Sequence, residues 1–149
     1  MKMLLAAAAA MLLAAPGLST PDDLRTVAAM QNHNRVLLVF APSLDDARLT
    51  AQRREFDVHA LAMSERDLLL VQVAGDEVIG AHDKADKLRR RHHVAEGEYR
   101  TLLIGKDGHT AMTIVGPISA AHLEERIDAM PMRQDEMRRA REGKGGGAA

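Results

Sequence analysis

Two stretches of this chain are apolar almost from end to end: Val36-Leu37-Leu38-Val39-Phe40, and Leu68 to Val73 with Gln72 as its one polar member. A strand with one wet face alternates polar and apolar residues, so such runs mark strands buried on both faces, as in a parallel sheet. Between them, from about Asp45 to Met63, Leu49, Phe56, Ala60 and Met63 fall on one helical stripe. Arg48, Gln52, Arg53 and Glu55 largely occupy the rest of that helix. Buried strand, helix, buried strand is a βαβ unit, whose crossover is right-handed.

The remaining elements follow from turn and capping chemistry. Thr20-Pro21-Asp22-Asp23 reads as an N-cap, a proline at the first helical position and acids on the positive helix end, opening a short helix to about Met30. Ala74 to Ala81 reads as loop, and His82 to His93 as a helix with Ala81, Ala85, Leu88 and His92 on one face. Thr101–Ile104 and Ala111–Val115 flank Lys106-Asp107-Gly108-His109, a hairpin signal centred on Asp-Gly. Ser119 caps a last helix with the stripe Ala120, Leu123, Ile127 and Met130, which Pro131 ends or kinks. The expectation is an α/β domain over residues 20–131, a βαβ unit followed by a ββα unit, with a four-stranded mixed sheet flanked by helices. Residues 132–149 are charged and then Gly-rich, predicting helix at most to about Arg141 and disorder beyond.

Residues 1–19 have the layout of a secretory signal: Lys2, an apolar run from Leu4 to Ala15, then Pro16-Gly17-Leu18-Ser19. A run of that length is too short to span a bilayer comfortably, and no cysteine follows it for lipid attachment. The expectation is therefore cleavage between Ala15 and Ser19, a periplasmic or secreted mature chain, and no membrane span after cleavage. Lys2 is the only charge in the signal, so its loss would take the net charge from −1 to −2. A nearly neutral surface has no field for polyanions. With one Tyr, two Phe and no Trp, platforms for stacking bases are scarce, so no nucleic acid is expected as partner. The chain has no cysteine, so no disulfide holds it and packing alone must.

The order βαβ, helix, hairpin, helix resembles the minimal thioredoxin architecture. Val36-Leu37-Leu38-Val39-Phe40-Ala41 resembles the strand leading into the active-site loop of that fold, and Thr101-Leu102-Leu103-Ile104-Gly105-Lys106-Asp107-Gly108 its hairpin strand and turn. More narrowly, Val39-Phe40-Ala41-Pro42-Ser43 with Asp45-Asp46, Gly105-Lys106-Asp107-Gly108, and Asp128-Ala129-Met130-Pro131-Met132-Arg133 with Met137-Arg138-Arg139 are similar to exported bacterial proteins of domain-of-unknown-function family 4174. Related domains of that family occur in animal sushi-repeat and extracellular-matrix proteins. The resemblance spans about Arg35 to Arg139 and implies a thioredoxin- or peroxiredoxin-like fold without an established activity. In that comparison the Cys-x-x-Cys position maps, within one residue, onto Leu44-Asp45-Asp46-Ala47, and the proline beside the active site maps onto Arg100. Thiol–disulfide exchange needs an attacking thiolate, and this chain has none.

The candidate binding loop is therefore Pro42, Ser43, Leu44, Asp45 and Asp46, with Arg100 beside it. Asp45 and Asp46 fall where the fold exposes a helix N-terminus, and self-capping is their plain role. A ligand or cation site, or paired-carboxylate acid–base chemistry, is the sharper alternative. Ser43 lacks a Gly-x-Ser-x-Gly elbow and reads as a turn or capping serine. Seven histidines show no His-Glu-x-x-His spacing, so no metal and no cofactor are expected; His92 reads as a hydrogen-bonded, half-buried packing residue. Arg89-Arg90-Arg91 lies among acids and reads as a solvated face, as does the tail run Arg138-Arg139-Arg141-Lys144. Met130 and Met132 around Pro131 read as a packed turn rather than a contact surface. Together these features predict a non-catalytic binding or accessory module with a protein or peptide partner in the cell envelope. The alternative is a thiol-independent enzyme using a metal or carboxylates.

Overall fold

The structure, a computed structural model, describes residues 24–145. The proposed signal, residues 20–23 of the proposed first helix, and residues 146–149 of the tail lie outside the described residues. Strand β1 (Arg35–Ala41) is buried along its whole length, as its unbroken apolar run requires. It pairs in parallel with β2 (Leu68–Ala74), Leu37 opposite Leu70, across the crossover. Its other edge pairs antiparallel with β4 (Arg100–Ile104), which continues through the Gly105–His109 turn into β5 (Thr110–Ile114).

Among the described residues the sheet has five strands rather than the expected four, in the order β3-β2-β1-β4-β5. The addition is β3 (Glu77–Ile79), inside the stretch read as loop. Three residues are too few to show a period, but glycines mark both its ends. Gly75 begins the β2–β3 turn at φ +57°, and Gly80 leaves β3 at φ +95° where an added Cβ would lie 2.5 Å from the Leu70 carbonyl oxygen. Only glycine fits there.

Alternation along β1 builds two cores. Val36, Leu38 and Phe40 face a layer made by α3 (Ala85–His92) and by a single 3₁₀ turn (Ala28–Met30) in place of the expected first helix. Leu37, Val39 and Ala41 face α1 (Ala47–Val58), α2 (Ala60–Glu65) and α4 (Ala120–Asp128). The crossover, expected as one helix, breaks at His59, whose backbone leaves the helical region (φ −109°, ψ 27°) while its ring Nδ1 lies 3.0 Å from the Glu55 carbonyl oxygen. The break leaves Ala60 exposed and still buries Leu49 and Met63.

Gln52, read as part of the polar side, is fully buried. Its amide forms a two-point bridge to the backbone of Ile118, donating to the carbonyl at 3.0 Å and accepting from the N–H at 2.7 Å. Glu55 accepts from the Ala120 N–H at 2.9 Å one turn further on, so α1 positions the start of α4 by hydrogen bonds. Ser119 caps α4 as expected, accepting from the His122 N–H at 3.2 Å. We expect Gln52→Leu to lower unfolding free energy by about 2–3 kcal/mol, since it strands a buried N–H and a buried C=O; urea unfolding of the full chain measures it.

Pro131 is the first residue of α5 (Pro131–Gly145), which continues four residues beyond the expected limit at Arg141. Its first turns are tied to the sheet. Glu136 accepts from the buried Arg35 guanidinium at 3.2 and 3.1 Å and from Lys106 Nζ at 2.7 Å. Arg133 and Arg66 share Asp128. Burial would raise the Glu136 pKa, but hydrogen bonds from Arg35 and Lys106 outweigh it and hold the carboxyl below the ordinary range. A group depressed on folding stabilises at neutral pH and loses that contribution as pH falls through its folded value. Glu136→Gln should therefore cost on the order of 3 kcal/mol at pH 7. The deficit should shrink below about pH 4, where the wild-type carboxyl protonates; chemical denaturation of both proteins across that range checks the convergence.

Candidate functional site

Ala41 ends β1 in the middle of the sheet, and the Pro42–Asp46 loop carries the chain from there into α1. The loop thus stands at the carboxyl end of the parallel pair, where open α/β sheets form binding crevices. Asp46 is the N-cap of α1, its Oδ1 accepting from the Arg48 N–H at 3.0 Å. The Arg48 guanidinium returns to the same carboxylate, through Nε at 3.0 Å and Nη2 at 2.8 Å. Those hydrogen bonds hold the Asp46 carboxyl below the ordinary aspartate range. Ser43 Oγ donates to Asp45 Oδ1 at 2.5 Å, which commits the one hydroxyl of the loop to a neighbouring acid. Leu44 packs against the core.

Two residues that the sequence reading missed complete this surface. Arg48 lies over the Tyr99 ring, 4.7 Å from its centroid, and the Tyr99 hydroxyl donates to the Arg48 carbonyl at 3.3 Å. Burial pushes the Tyr99 phenol upward in pKa. The lone tyrosine of the chain, next to the position singled out at Arg100, was the available signal. Arg100 opens β4 opposite Phe40, which brings it to the same end of the sheet, but its guanidinium pairs with Glu98 at 2.6 Å.

Arg89 departs most from its sequence reading. It is not part of a solvated face: its relative exposure is 6%, with Nη1 donating to the Gly75 carbonyl at 2.6 Å and Nη2 to that of Ala41 at 3.4 Å. Its Nε has no partner among the described residues. Arg90, by contrast, is exposed and pairs with Asp86 at 3.2 Å. Arg89 therefore clamps the ends of β1 and β2 and forms the floor of a cavity of about 310 Å³ lined by Pro42, Gly75, Asp76, Glu96 and Gly97. Asp76 and Glu96 give its wall an acidic character. Among the described residues, no three His, Asp or Glu side chains converge as a metal site would require.

His92 is half-buried as expected, its ring 6.0 Å from that of Phe40, but among the described residues its buried Nε2 has no hydrogen-bond partner. Burial, with help from the nearby charges of Arg91 and His93, lowers its pKa. The folded chain resists protonation there, so this group contributes full stability above about pH 6.5 and withdraws it as pH falls toward the lowered value. His92→Leu should raise stability by about 1 kcal/mol at pH 7 by removing the orphan group, and by more at pH 5.5; thermal unfolding at the two pH values tests both.

Residues 26–136 match the family described as a domain of unknown function, DUF4174. The chain belongs to that family. No curated protein matches it. Among solved structures it is similar to the reduced 2-Cys peroxiredoxin of Plasmodium vivax, with a TM-score of 0.60 and 14% identity over 72% of this chain and 71% of that one. A putative thiol:disulfide interchange protein DsbE of Chlorobium tepidum matches with a TM-score of 0.51 and 17% identity, over 68% and 83%. The exposed lipoprotein thioredoxin Etrx1 of Streptococcus pneumoniae gives 0.51 and 16%, over 72% and 97%. At these identities the likeness shows the fold, which is thioredoxin-like. Unlike a thiol-exchange protein, this DUF4174 chain has no cysteine anywhere.

Proposed function

We propose that this chain is an exported, non-catalytic binding module, whose Pro42–Asp46 loop and adjoining cavity receive a segment of a protein or peptide partner in the cell envelope. The observation that carries the reading is the state of the loop's polar groups. Ser43 is bonded to Asp45, Asp46 to Arg48, and Arg100 to Glu98, so each candidate nucleophile or base is engaged in holding the loop's shape. Ser43 has a carboxylate beside it, but a nucleophile also needs a third group orienting that base and a place for developing charge. A shaped loop over a cavity at the end of a parallel sheet suits recognition instead. Asp76 and Glu96 on the cavity wall favour a partner segment carrying Lys or Arg.

Export rests on residues 1–19, and the thioredoxin-like neighbours lend the loop its place by analogy alone. A photoreactive residue at position 45, compared with one at Arg54 on the exposed side of α1, tests the surface in cells. We expect a discrete crosslinked product from position 45 that position 54 does not give, and loss of that product when Gly97→Trp fills the cavity. Equal crosslinking from both positions refutes the loop as the binding surface. Mass spectrometry of the same material should find a mature N-terminus between residues 16 and 20; an intact Met1 in the extracytoplasmic fraction refutes the cleaved signal.

A further inference from the structure

The 3₁₀ turn that replaces the expected first helix packs over the end of α3, and an imidazole lies between them. Val27, Ala28 and Gln31 form one wall of a cavity of about 230 Å³, and Arg91 and His92 of α3 form another. His92 Nε2 is out of solvent there and has no partner among the described residues. We propose that His92 is a pH-sensitive latch for residues 24–34: the neutral ring lets this segment close over the core beside α3, and protonation of Nε2 releases it.

The closed arrangement suits only the neutral ring. With Nε2 buried and unpartnered, the single proton of a neutral imidazole belongs on Nδ1. A second proton would place a charged N–H where nothing accepts it. Phe40 of β1, and Ile104 and Gly108 of the hairpin, bring no titratable side chain to the ring. Arg25 and His33, the titratable groups of the segment itself, are exposed. Burial opposes the imidazolium most, followed by the charges of Arg91 and His93, while Asp83, just ahead of α3, favours it. The Asp83 carboxylate is already committed: its Oδ2 accepts from the Val27 N–H at 2.7 Å and so ties the segment down. An imidazolium therefore competes with the segment for its one favourable anion.

Residues 24–34 are the part of the structure able to respond. They bury Val27 and Met30 but join no strand ladder. Their other backbone ties are the Arg25 carbonyl, accepting from the His82 N–H at 3.0 Å, and the Asn32 N–H, donating to the Lys106 carbonyl at 2.7 Å. A short turn held this way opens at a smaller free energy than a central sheet. Once it opens, the ring meets water and regains an ordinary pKa near 6.5. The closed form, whose histidine pKa is lowered, is therefore fully favoured above that pH and loses ground as pH falls toward the lowered value. None of the residues assigned to the Pro42–Asp46 loop takes part, so the latch and the loop fail or stand separately.

Amide hydrogen exchange of the full chain at pH 7.5 and 5.5, followed by NMR and corrected for intrinsic rates, tests the latch. Protection of the Val27 and Asn32 amides should fall by up to about tenfold at the lower pH. At both values it should stay below that of the β1 amides, which marks segmental rather than global opening. His92→Leu, and His92→Gln as a second neutral replacement, should remove the pH response. Unchanged Val27 and Asn32 protection between the two pH values overturns the proposal, as does a response retained in both variants. Protection equal to that of β1 also overturns it, because opening is then global. So does a His92 ring that titrates near 6.5 while the segment stays protected, because the ring then swings out alone.

Discussion

Burial of β1 on both faces and both edges is the constraint from which the rest of the architecture descends. All seven of its residues are buried, β2 and β4 take its two edges, and alternate side chains seed two separate cores. A strand so enclosed can meet solvent or a ligand only at its ends. Each end is closed by a buried arginine. Arg35 stands at the amino end, bound to a carboxylate and a carbonyl, and Arg89 reaches the carboxyl end from α3, bound to carbonyls alone. Guanidinium suits both places because its planar fork satisfies several acceptors at once and stays charged when buried.

The two ends differ in chemistry. At the carboxyl end, the Asp46–Arg48–Tyr99 assembly covers the end of the sheet with charge and aromatic surface. Its groups are mutually satisfied, which gives a fixed outline. At the amino end the polar groups are only partly satisfied, and methionines stand where solvent reaches them. Each end also keeps one orphan donor among the described residues, the Nε–H of its buried arginine.

What the sequence disclosed followed the physics of burial. Two non-alternating runs, an Asp-Gly turn and a capped helix sufficed for the βαβ and ββα order and for the stripes of α3 and α4. Two of the failures share one cause, the use of polar side chains inside the protein. Gln52 and Arg89 are polar by type and were assigned to solvent, yet each is turned inward to satisfy backbone groups of a segment distant in sequence. Periodicity cannot see a partner 66 residues away. Strand β3 was too short to announce itself, and the break at His59 depends on a ring competing for a carbonyl. The loop residues singled out, Pro42 to Asp46, do gather at one end of the sheet with Arg100, but Arg48 and Tyr99, which fix Asp46, emerge only from the three-dimensional arrangement.

The pairing of Arg35 with Glu136 joins residues 101 positions apart, the first of the central strand and one near the end of the chain. Without α5, that guanidinium would stay buried at the amino end of β1 with no carboxylate beside it, a costly arrangement. The central strand is therefore fully stabilised only with α5 in place.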